Sequence, residues 1–301
     1  MGKEVKNKSA SVRARLFNVS KTKGLHFELL LLRYFQERFL YRLAISDYKE
    51  SFILKGGLLL VYLNMPKSRP TRDIDFLSNI SNDKSKIKSI IKEIISIEID
   101  DGVYFCKKSI KLEDIIEEAK YLGCRVNIEV RIGQAEARLQ IDIGFGDSVI
   151  PGSNKREITT ILDEDKFMIK TYPVEVVISE KFEAMISLAL ANSRMKDFYD
   201  IYMISKMCDI KGADIKKAIY ETCRKRKTDL MGEILIFNKY FYNDVQKHTQ
   251  WNAFIKKLRD IDISFEEIIN DLKKFLEPVV NAIRDGGDFD REWDCGKVKW
   301  I

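Results

Sequence analysis

Two aspartates separated by a single isoleucine, Asp73-Ile74-Asp75, constrain the fold more than any other feature of the sequence. The surrounding residues 69–77, RPTRDIDFL, are typical of a short β-strand, in which residues two apart project to the same face. Two adjacent carboxylates repel each other unless a cation or a shared proton lies between them. Because Mg²⁺ is bound by one or two carboxylates together with substrate phosphates, the pattern predicts a divalent-cation site.

A glycine pair precedes this strand. Gly56 and Gly57 follow one apolar run and begin a second, helix-like run. Glycine lets the backbone approach a phosphate closely, and the N-terminus of the following helix favours an anion. The pair is therefore predicted to contact a phosphate. The alternatives are a purely structural turn for the glycines and a solvated strand edge for the aspartates.

A third carboxylate is expected on a neighbouring strand. The segment 138–147, RLQIDIGFGD, alternates with period two, so that Leu139, Ile141 and Ile143 share one face and Asp142 lies on the other. An unpaired charge among apolar neighbours would be costly. Asp142 is therefore predicted to complete a metal-binding triad with the two earlier aspartates.

Composition excludes several other kinds of chemistry. The five cysteines are scattered and only two histidines are present, which leaves neither a zinc-ligand spacing nor a disulfide framework. No apolar run approaches the roughly 20 residues of a membrane span, and no apolar leader is visible, so we expect a cytoplasmic protein without a membrane partner. Catalysis would then depend on carboxylates, lysines and a metal.

The charge and the hydropathy pattern of the chain change along its length. Residues 1–24 form a basic N-terminal arm, and residues 25–165 mix helical patterns with strand patterns. Within the latter, residues 84–95 and 109–123 are predicted as helices. Residues 166–301 are predominantly helical, and Ser264 with Glu267 forms a capping-box pattern. The predicted fold is α+β, a mixed-sheet domain at 25–165 followed by an all-helical C-terminal domain at 166–301.

A basic segment lies within the helical region. Between Lys211 and Met231 there are seven basic and three acidic residues, and four of the basic ones are consecutive: Arg224, Lys225, Arg226 and Lys227. Such a run is often a solvated face. On a chain with a formal net charge of +6 it also fits contacts with a nucleic-acid backbone.

These motifs resemble the AbiEii/AbiGii toxin family, and the resemblance spans roughly residues 25–280. The segments that carry it are ERFLYRL (37–43), FILKGGLLL (52–60), RPTRDIDF (69–76), YLGCRVNIEV (121–130), LQIDIGFGD (139–147), SEKFEAM (179–185) and KDFYDIY (196–202). The resemblance implies the nucleotidyltransferase fold, which is shared with DNA polymerase β. It also implies a toxin of a bacterial type IV toxin–antitoxin pair, or of abortive infection, which is a defence against phage. Related toxins are described as adding nucleotides to the acceptor end of tRNA.

The resemblance also implies roles for individual residues. Asp73, Asp75 and Asp142 would bind two metal ions, Mg²⁺ or Mn²⁺, that clamp the attacking and leaving oxygens at the α-phosphate, and Asp142 would help to activate the attacking hydroxyl. Gly56 and Gly57 would approach the triphosphate of a nucleoside triphosphate substrate. Lys181, Lys196, Asp197 and Asp200 would complete the nucleotide pocket. Lys181 is also predicted to be a catalytic residue. The family pattern departs at Leu58, where many nucleotidyltransferases have a serine or threonine that contacts phosphate.

Three functional hypotheses remain open from the sequence. The first is a metal-dependent nucleotidyltransferase toxin whose acceptor is RNA, such as the 3′ end of tRNA, with an antitoxin encoded by a neighbouring gene and not bound directly. The second keeps the chemistry but modifies a protein side chain or a small molecule. The third is a non-catalytic interaction module with the same fold.

Overall fold

The computed structural model describes residues 7–63, 69–117, 121–146, 149, 152–162, 166–258 and 261–301. The chain forms two compact units. The first comprises Met1–Tyr62, Pro70–Ser148 and Asn154–Thr171, and the second comprises Leu63–Arg69, Val149–Ser153 and Tyr172–Ile301.

The first unit is built on a mixed β-sheet. Its helices and strands are α1 (Lys8–Thr22), α2 (Phe27–Ala44), β1 (Phe52–Lys55), α3 (Gly56–Tyr62), β2 (Asp73–Ser78), α4 (Lys84–Ile95), β3 (Tyr104–Phe105), β4 (Lys111–Glu117), β5 (Tyr121–Ile132), β6 (Ala135–Phe145), β7 (Asn154–Thr159) and β8 (Lys166–Thr171). The strand order is β3-β5-β6-β2-β1-β8-β7, with β4 also paired to β5. The pairs β2–β6 and β1–β8 are parallel and β1–β2 and β5–β6 are antiparallel, which confirms the predicted α+β class with a mixed sheet.

Helix α2 covers one face of this sheet. Phe39 of α2 and Phe76 of β2 have ring centroids 6.5 Å apart, and both side chains are buried. Ile74 lies on the same face as Phe76 and is also fully buried. Since side chains alternate along a strand, the aspartates of β2 project to the opposite face.

The N-terminal segment is part of the first unit. Asn7 caps α1 by accepting a hydrogen bond from the backbone N–H of Ala10, and Val12 and Leu16 of α1 are fully buried. The prediction of a separate arm at 1–24 therefore differs from the structure over Lys8–Thr22, because this helix has an apolar face that is covered. Residues 1–6 lie outside the described part of the chain.

Two sequence predictions in the first unit need correction. Residues 109–123 were predicted to be helical from the spacing of their apolar residues, but Lys111–Glu117 form β4, which pairs antiparallel with β5. The cross-strand hydrogen bonds outweigh the local periodicity there. The predicted domain boundary at 165 lies outside the described residues, and the unit continues to Thr171 because Phe167 and Ile169 of β8 are buried in the sheet.

The second unit is mainly helical. Its helices and strands are α5 (Val174–Leu188), α6 (Met195–Met207), β9 (Ile210–Lys211), α7 (Gly212–Arg226), α8 (Lys239–Tyr242), α9 (Val245–Ile255), α10 (Phe265–Arg284), β10 (Glu292–Asp294) and β11 (Lys299–Trp300). The capping box predicted at Ser264 and Glu267 is confirmed at the start of α10. Among the described residues, no helix combines the length and the apolar character that crossing a membrane requires.

The prediction of an all-helical second domain was wrong at the C-terminus. Strands β9, β10 and β11 form a small antiparallel sheet in the order β11-β10-β9. Two tryptophans hold it in place: Trp293 Nε1 donates to the carbonyl oxygen of Ser205 at 2.7 Å, and Trp300 Nε1 donates to that of Phe275 at 2.9 Å. These contacts are distant in sequence, so the tail has no local pattern that reveals them.

Candidate active site

Gly56 brings the start of α3 against the second aspartate of β2. Strand β1 pairs with β2 so that Lys55 lies opposite Asp75, and Gly56 follows directly with a φ of +68°. A Cβ atom at position 56 would lie 1.9 Å from Asp75 Oδ2. Glycine is therefore required twice, once for the left-handed backbone and once for the close approach of the carboxylate. Gly57 is buried in the first turn of α3.

The three predicted carboxylates meet across β2 and β6. These strands run parallel in a register that places Asp75 beside Asp142 and Asp73 beside Gln140. One carboxylate oxygen from each of Asp73, Asp75 and Asp142 lies within 4.8 Å of the other two. Because every ligand atom is a carboxylate oxygen, this group fits a hard divalent cation such as Mg²⁺ or Mn²⁺.

Neighbouring polar side chains orient the outer members of the triad. Thr71 Oγ1 donates to Asp73 Oδ1 at 2.7 Å. Gln140 Nε2 donates to Asp142 Oδ2 at 3.2 Å. Asp142 is the most enclosed of the three carboxylates, with 6% of the residue exposed. Asp73 and Asp142 are therefore oriented by side-chain hydrogen bonds on a rigid sheet, as a coordination site requires.

Arg125 is a member of this site that the sequence analysis missed. It lies on β5 directly opposite Asp142, donating from Nε to Oδ1 at 2.8 Å and from Nη2 to Oδ2 at 2.7 Å. The hydrogen bond with Asp142 raises the pKa of Arg125 above its ordinary value. Only the register of the β5–β6 hairpin could have indicated this residue, because Arg125 and Asp142 are 17 positions apart.

Three of the other predicted residues form a buried charge cluster in the second unit. Lys181 Nζ on α5 lies 2.5 Å from Asp197 Oδ1 and 2.9 Å from Asp200 Oδ2, both on α6. Arg69 donates to both oxygens of Asp200, and Arg194 Nε lies 2.8 Å from Asp197 Oδ2. The structure thus brings Lys181, Asp197 and Asp200 together and adds two arginines that the sequence analysis did not assign.

The pKa values in this cluster follow from its ion pairs. Burial alone would raise the pKa of Asp197, but Lys181 and Arg194 outweigh it and hold the pKa below its ordinary value. Burial would lower the pKa of Lys181, and the two aspartates raise it instead. All of these directions favour the charged forms.

Comparison with known proteins identifies the family. A family model described as nucleotidyl transferase AbiEii toxin, type IV toxin–antitoxin system, matches residues 38–286. The chain belongs to the AbiEii toxin family. The resemblance predicted from the motifs is confirmed, and membership makes this AbiEii chain a nucleotidyltransferase toxin of a type IV system, with a nucleotide substrate and a cognate antitoxin.

Two solved structures from Helicobacter pylori are similar to this AbiEii chain over most of its length. One is a candidate nucleotidyltransferase, 14% identical, with 88% of this chain and all of that chain covered and a TM-score of 0.49. The other is JHP933, 13% identical, with 87% of this chain and 94% of that chain covered and a TM-score of 0.48. Comparison with the curated proteins finds no match.

The remaining predicted residues of the AbiEii chain lie at different depths. Lys196 is exposed in the first turn of α6, and its charge contributes to the lowered pKa of Asp197. In the basic run, Arg224 and Lys227 are exposed and Lys225 is half-buried.

Arg226 corrects one prediction. It was predicted to contact nucleic acid, but its side chain is only 7% exposed and its Nη1 donates to Glu183 Oε2 at 2.8 Å. This arginine is the counter-ion of a buried glutamate. It stabilises the pairing of α7 with α5 and is not available to an external phosphate.

Proposed function

We propose that this AbiEii toxin is a metal-dependent enzyme that transfers a nucleotide from a nucleoside triphosphate to an RNA acceptor, the 3′ end of tRNA. The observation that carries the proposal is the convergence of Asp73, Asp75 and Asp142 beside the left-handed glycine at position 56. In the reaction, a bond forms between the attacking hydroxyl oxygen and the α-phosphorus, and pyrophosphate leaves.

The carboxylates would hold the divalent cation, and the bound cation would supply Lewis-acid stabilisation of the charge that develops on the phosphate oxygens. The chain's own residues supply position and proton transfer. Asp142 would accept the proton of the attacking hydroxyl, since a carboxylate on a rigid strand can act as a general base. Thr71 would keep Asp73 oriented through the hydrogen bond described above.

The Lys181 cluster has a net positive charge, which supports a role in nucleotide binding. Three cations, Lys181, Arg69 and Arg194, face two carboxylates, which gives 3 − 2 = +1. A net positive group in which the carboxylates are buried and Arg194 is partly exposed is suited to attracting a triphosphate. We therefore keep Lys181, Lys196, Asp197 and Asp200 as proposed nucleotide-binding residues. A Lys181→Gln variant should show weaker binding of a nucleoside triphosphate in a calorimetric titration.

The exposed face of α7 supports RNA as the acceptor. Lys217, Tyr220 and Arg224 are exposed and recur at intervals of three and four residues, so they form one stripe along the helix, and the exposed Lys227 follows directly after its last residue. Tyr220 is 48% exposed within this basic stripe. Lysine and arginine neutralise backbone phosphates, and an exposed aromatic ring offers a surface on which a base can stack.

The direct test of the proposal is a transfer assay. Purified protein is incubated with tRNA, Mg²⁺ and each α-labelled nucleoside triphosphate in turn, beside Asp75→Asn and the control Asp114→Asn. Asp114 is an exposed carboxylate on β4 that pairs with Lys84, so its loss removes a charge without touching the triad. We expect label on tRNA with the unmutated protein and with Asp114→Asn, and none with Asp75→Asn.

Other outcomes of this assay would favour the alternatives. Label on protein instead of tRNA would favour modification of a protein side chain. An absence of transfer with every nucleotide and acceptor would favour the interaction module. If the RNA proposal holds, the enzyme works where nucleoside triphosphates and tRNA are found, in the cytoplasm, and its antitoxin acts without binding it.

The α7 stripe has its own test, the salt dependence of tRNA binding. The double variant Lys217→Gln/Arg224→Gln should lower the slope of log affinity against log salt by about 0.7–0.9 for each phosphate that the protein no longer neutralises. The matched control is Lys107→Gln/Lys108→Gln, which removes the same charge from exposed lysines of the first unit. Equal slopes for the two double variants would argue against this surface.

A further inference from the structure

The triad carboxylates lie within a row of alternating charge that crosses five strands and ends at Glu113 of β4, which lies opposite Arg125 of β5. Reading across the sheet, Lys55 of β1 lies opposite Asp75 of β2, Asp75 lies beside Asp142 of β6, and Asp142 lies opposite Arg125 of β5. A cation therefore stands at each end of the two central carboxylates. Asp73 adds a third negative charge from its place two residues before Asp75.

We propose that Arg125 is a positioning residue that holds Asp142 and competes with the divalent cation for its oxygens, and so sets the metal affinity of the site. The proposal rests on the metal dependence proposed above. Arg125 is not one of the triad carboxylates, and it belongs neither to the glycine pair at 56–57 nor to the Lys181 cluster.

Hydrogen-bond accounting shows how much of Asp142 is already occupied. An ionised carboxylate offers about four lone-pair positions on its two oxygens. Arg125 uses one on Oδ1 and one on Oδ2, and Gln140 uses a second on Oδ2. Counting only donors in the described part of the chain, one position on Oδ1 is left. A cation that takes more of Asp142 than this single position must displace Arg125 from either oxygen or Gln140 from Oδ2.

Charge gives the direction of the effect. The three carboxylates with Arg125 sum to −3 + 1 = −2, whereas the carboxylates alone sum to −3. A guanidinium within hydrogen-bonding distance of a ligand oxygen repels a second cation at that oxygen, and the repulsion is strong because Asp142 is buried. Removal of the positive charge should therefore tighten metal binding.

Burial shows that Arg125 is free to exchange its partner. The first unit contains another bidentate pair, Arg42 with Asp101, in which the two side chains are 3% and 4% exposed. That pair is enclosed in the core and can only be structural. The side chain of Arg125 is 35% exposed, so its guanidinium can leave Asp142 for solvent without opening the core.

The test is a Mn²⁺ titration followed by electron paramagnetic resonance, without nucleotide or RNA. The variants are Arg125→Gln, Arg125→Lys and Asp142→Asn, with Arg138→Gln as the matched control. Arg138 lies on β6, 4.0 Å from the exposed Glu113, which lies opposite Arg125 on β4. Its removal changes the net charge equally and alters the surroundings of Arg125, but leaves the hydrogen bonds between Arg125 and Asp142 in place. Circular dichroism confirms the fold of each variant.

We expect Arg125→Gln to bind Mn²⁺ about tenfold more tightly than the unmutated protein, because the competing charge is gone. Arg138→Gln should stay within about twofold. Arg125→Lys keeps the charge but loses the two-pronged hydrogen bonding, so it should fall between Gln and Arg. If Arg125→Gln does not fold, the Lys variant alone decides: tighter binding supports the proposal and unchanged binding overturns it.

The Mn²⁺ titrations separate the role of Arg125 from the metal binding of the triad. Unchanged or weaker Mn²⁺ binding by Arg125→Gln, with binding still lost in Asp142→Asn, overturns the role of Arg125 alone. Mn²⁺ binding that is unaffected by Asp142→Asn overturns both, because the triad would then not be the metal site.

Discussion

The substitution Gly56→Ala would test the close approach between the glycine turn and the carboxylate triad. Gly56 has a φ of +68°, and an L-residue in this region costs about 1–2 kcal/mol of folding free energy. The added Cβ would also lie 1.9 Å from Asp75 Oδ2, whereas ordinary contact begins at 3.4 Å. The carboxylate must therefore move by 3.4 − 1.9 = 1.5 Å. A displacement of about 1 Å at a reacting centre can cost about 100-fold in rate.

The control for Gly56→Ala is Gly24→Ala. Gly24 has a nearly equal φ of +61°, but a Cβ atom there would meet nothing within 4 Å. Both variants should lose about 1–2 kcal/mol in urea unfolding, because both carry the left-handed strain. Only Gly56→Ala should lose about 100-fold in the rate of nucleotide transfer at saturating substrate and Mg²⁺.

Two results would refute this reasoning. If Gly56→Ala transferred nucleotide as fast as Gly24→Ala, the position of the Asp75 carboxylate would not matter to the reaction. If Gly56→Ala lost no stability, the chain would relieve both the strain and the collision by a backbone shift, and the close approach would not be a constraint.

The second unit offers three further tests. Because folding lowers the pKa of Asp197, this carboxylate stabilises the protein above its unfolded pKa of about 3.9, and the stabilisation is lost as pH falls through the folded pKa. The urea concentration at the unfolding midpoint should therefore decrease when the pH is lowered below about 4, and it should decrease less steeply in Lys181→Met. Arg226→Ala should lower the unfolding free energy by about 3–5 kcal/mol because Glu183 stays buried without its counter-ion, and an unchanged unfolding curve would contradict this. Burial raises the pKa of Cys223 to about 12, so iodoacetamide should label this thiol only after unfolding, and mass spectrometry of the native protein would reveal the opposite result.

The triad could be anticipated because strand periodicity is a local property. Ile74 and Phe76 are buried and the aspartates between and before them project to the other face, as the alternating pattern predicted. The same reasoning placed Asp142 opposite the face of Ile141 and Ile143. Each step used only neighbours along the chain.

The partners of these carboxylates could not be anticipated in the same way. Arg125 reaches its aspartate through strand register, and Arg69 reaches Asp200 across 131 positions. The helix predicted at 109–123 failed for a related reason, since β4 is held by pairing with β5 and not by its own periodicity. The prediction that Arg226 contacts nucleic acid was wrong because the burial of a charged residue depends on a partner elsewhere in the chain, here Glu183.

The chain crosses between the two units five times, and this has a consequence for how the protein is made. Neither unit is a continuous segment, because 63–69 and 149–153 belong to the second unit although the first is complete only at Thr171. During synthesis, the ion pair between Arg69 and Asp200 cannot form until Asp200 has left the ribosome. The ion pair of Arg69 with Asp200 therefore forms late, and a chain truncated before α6 would lack it.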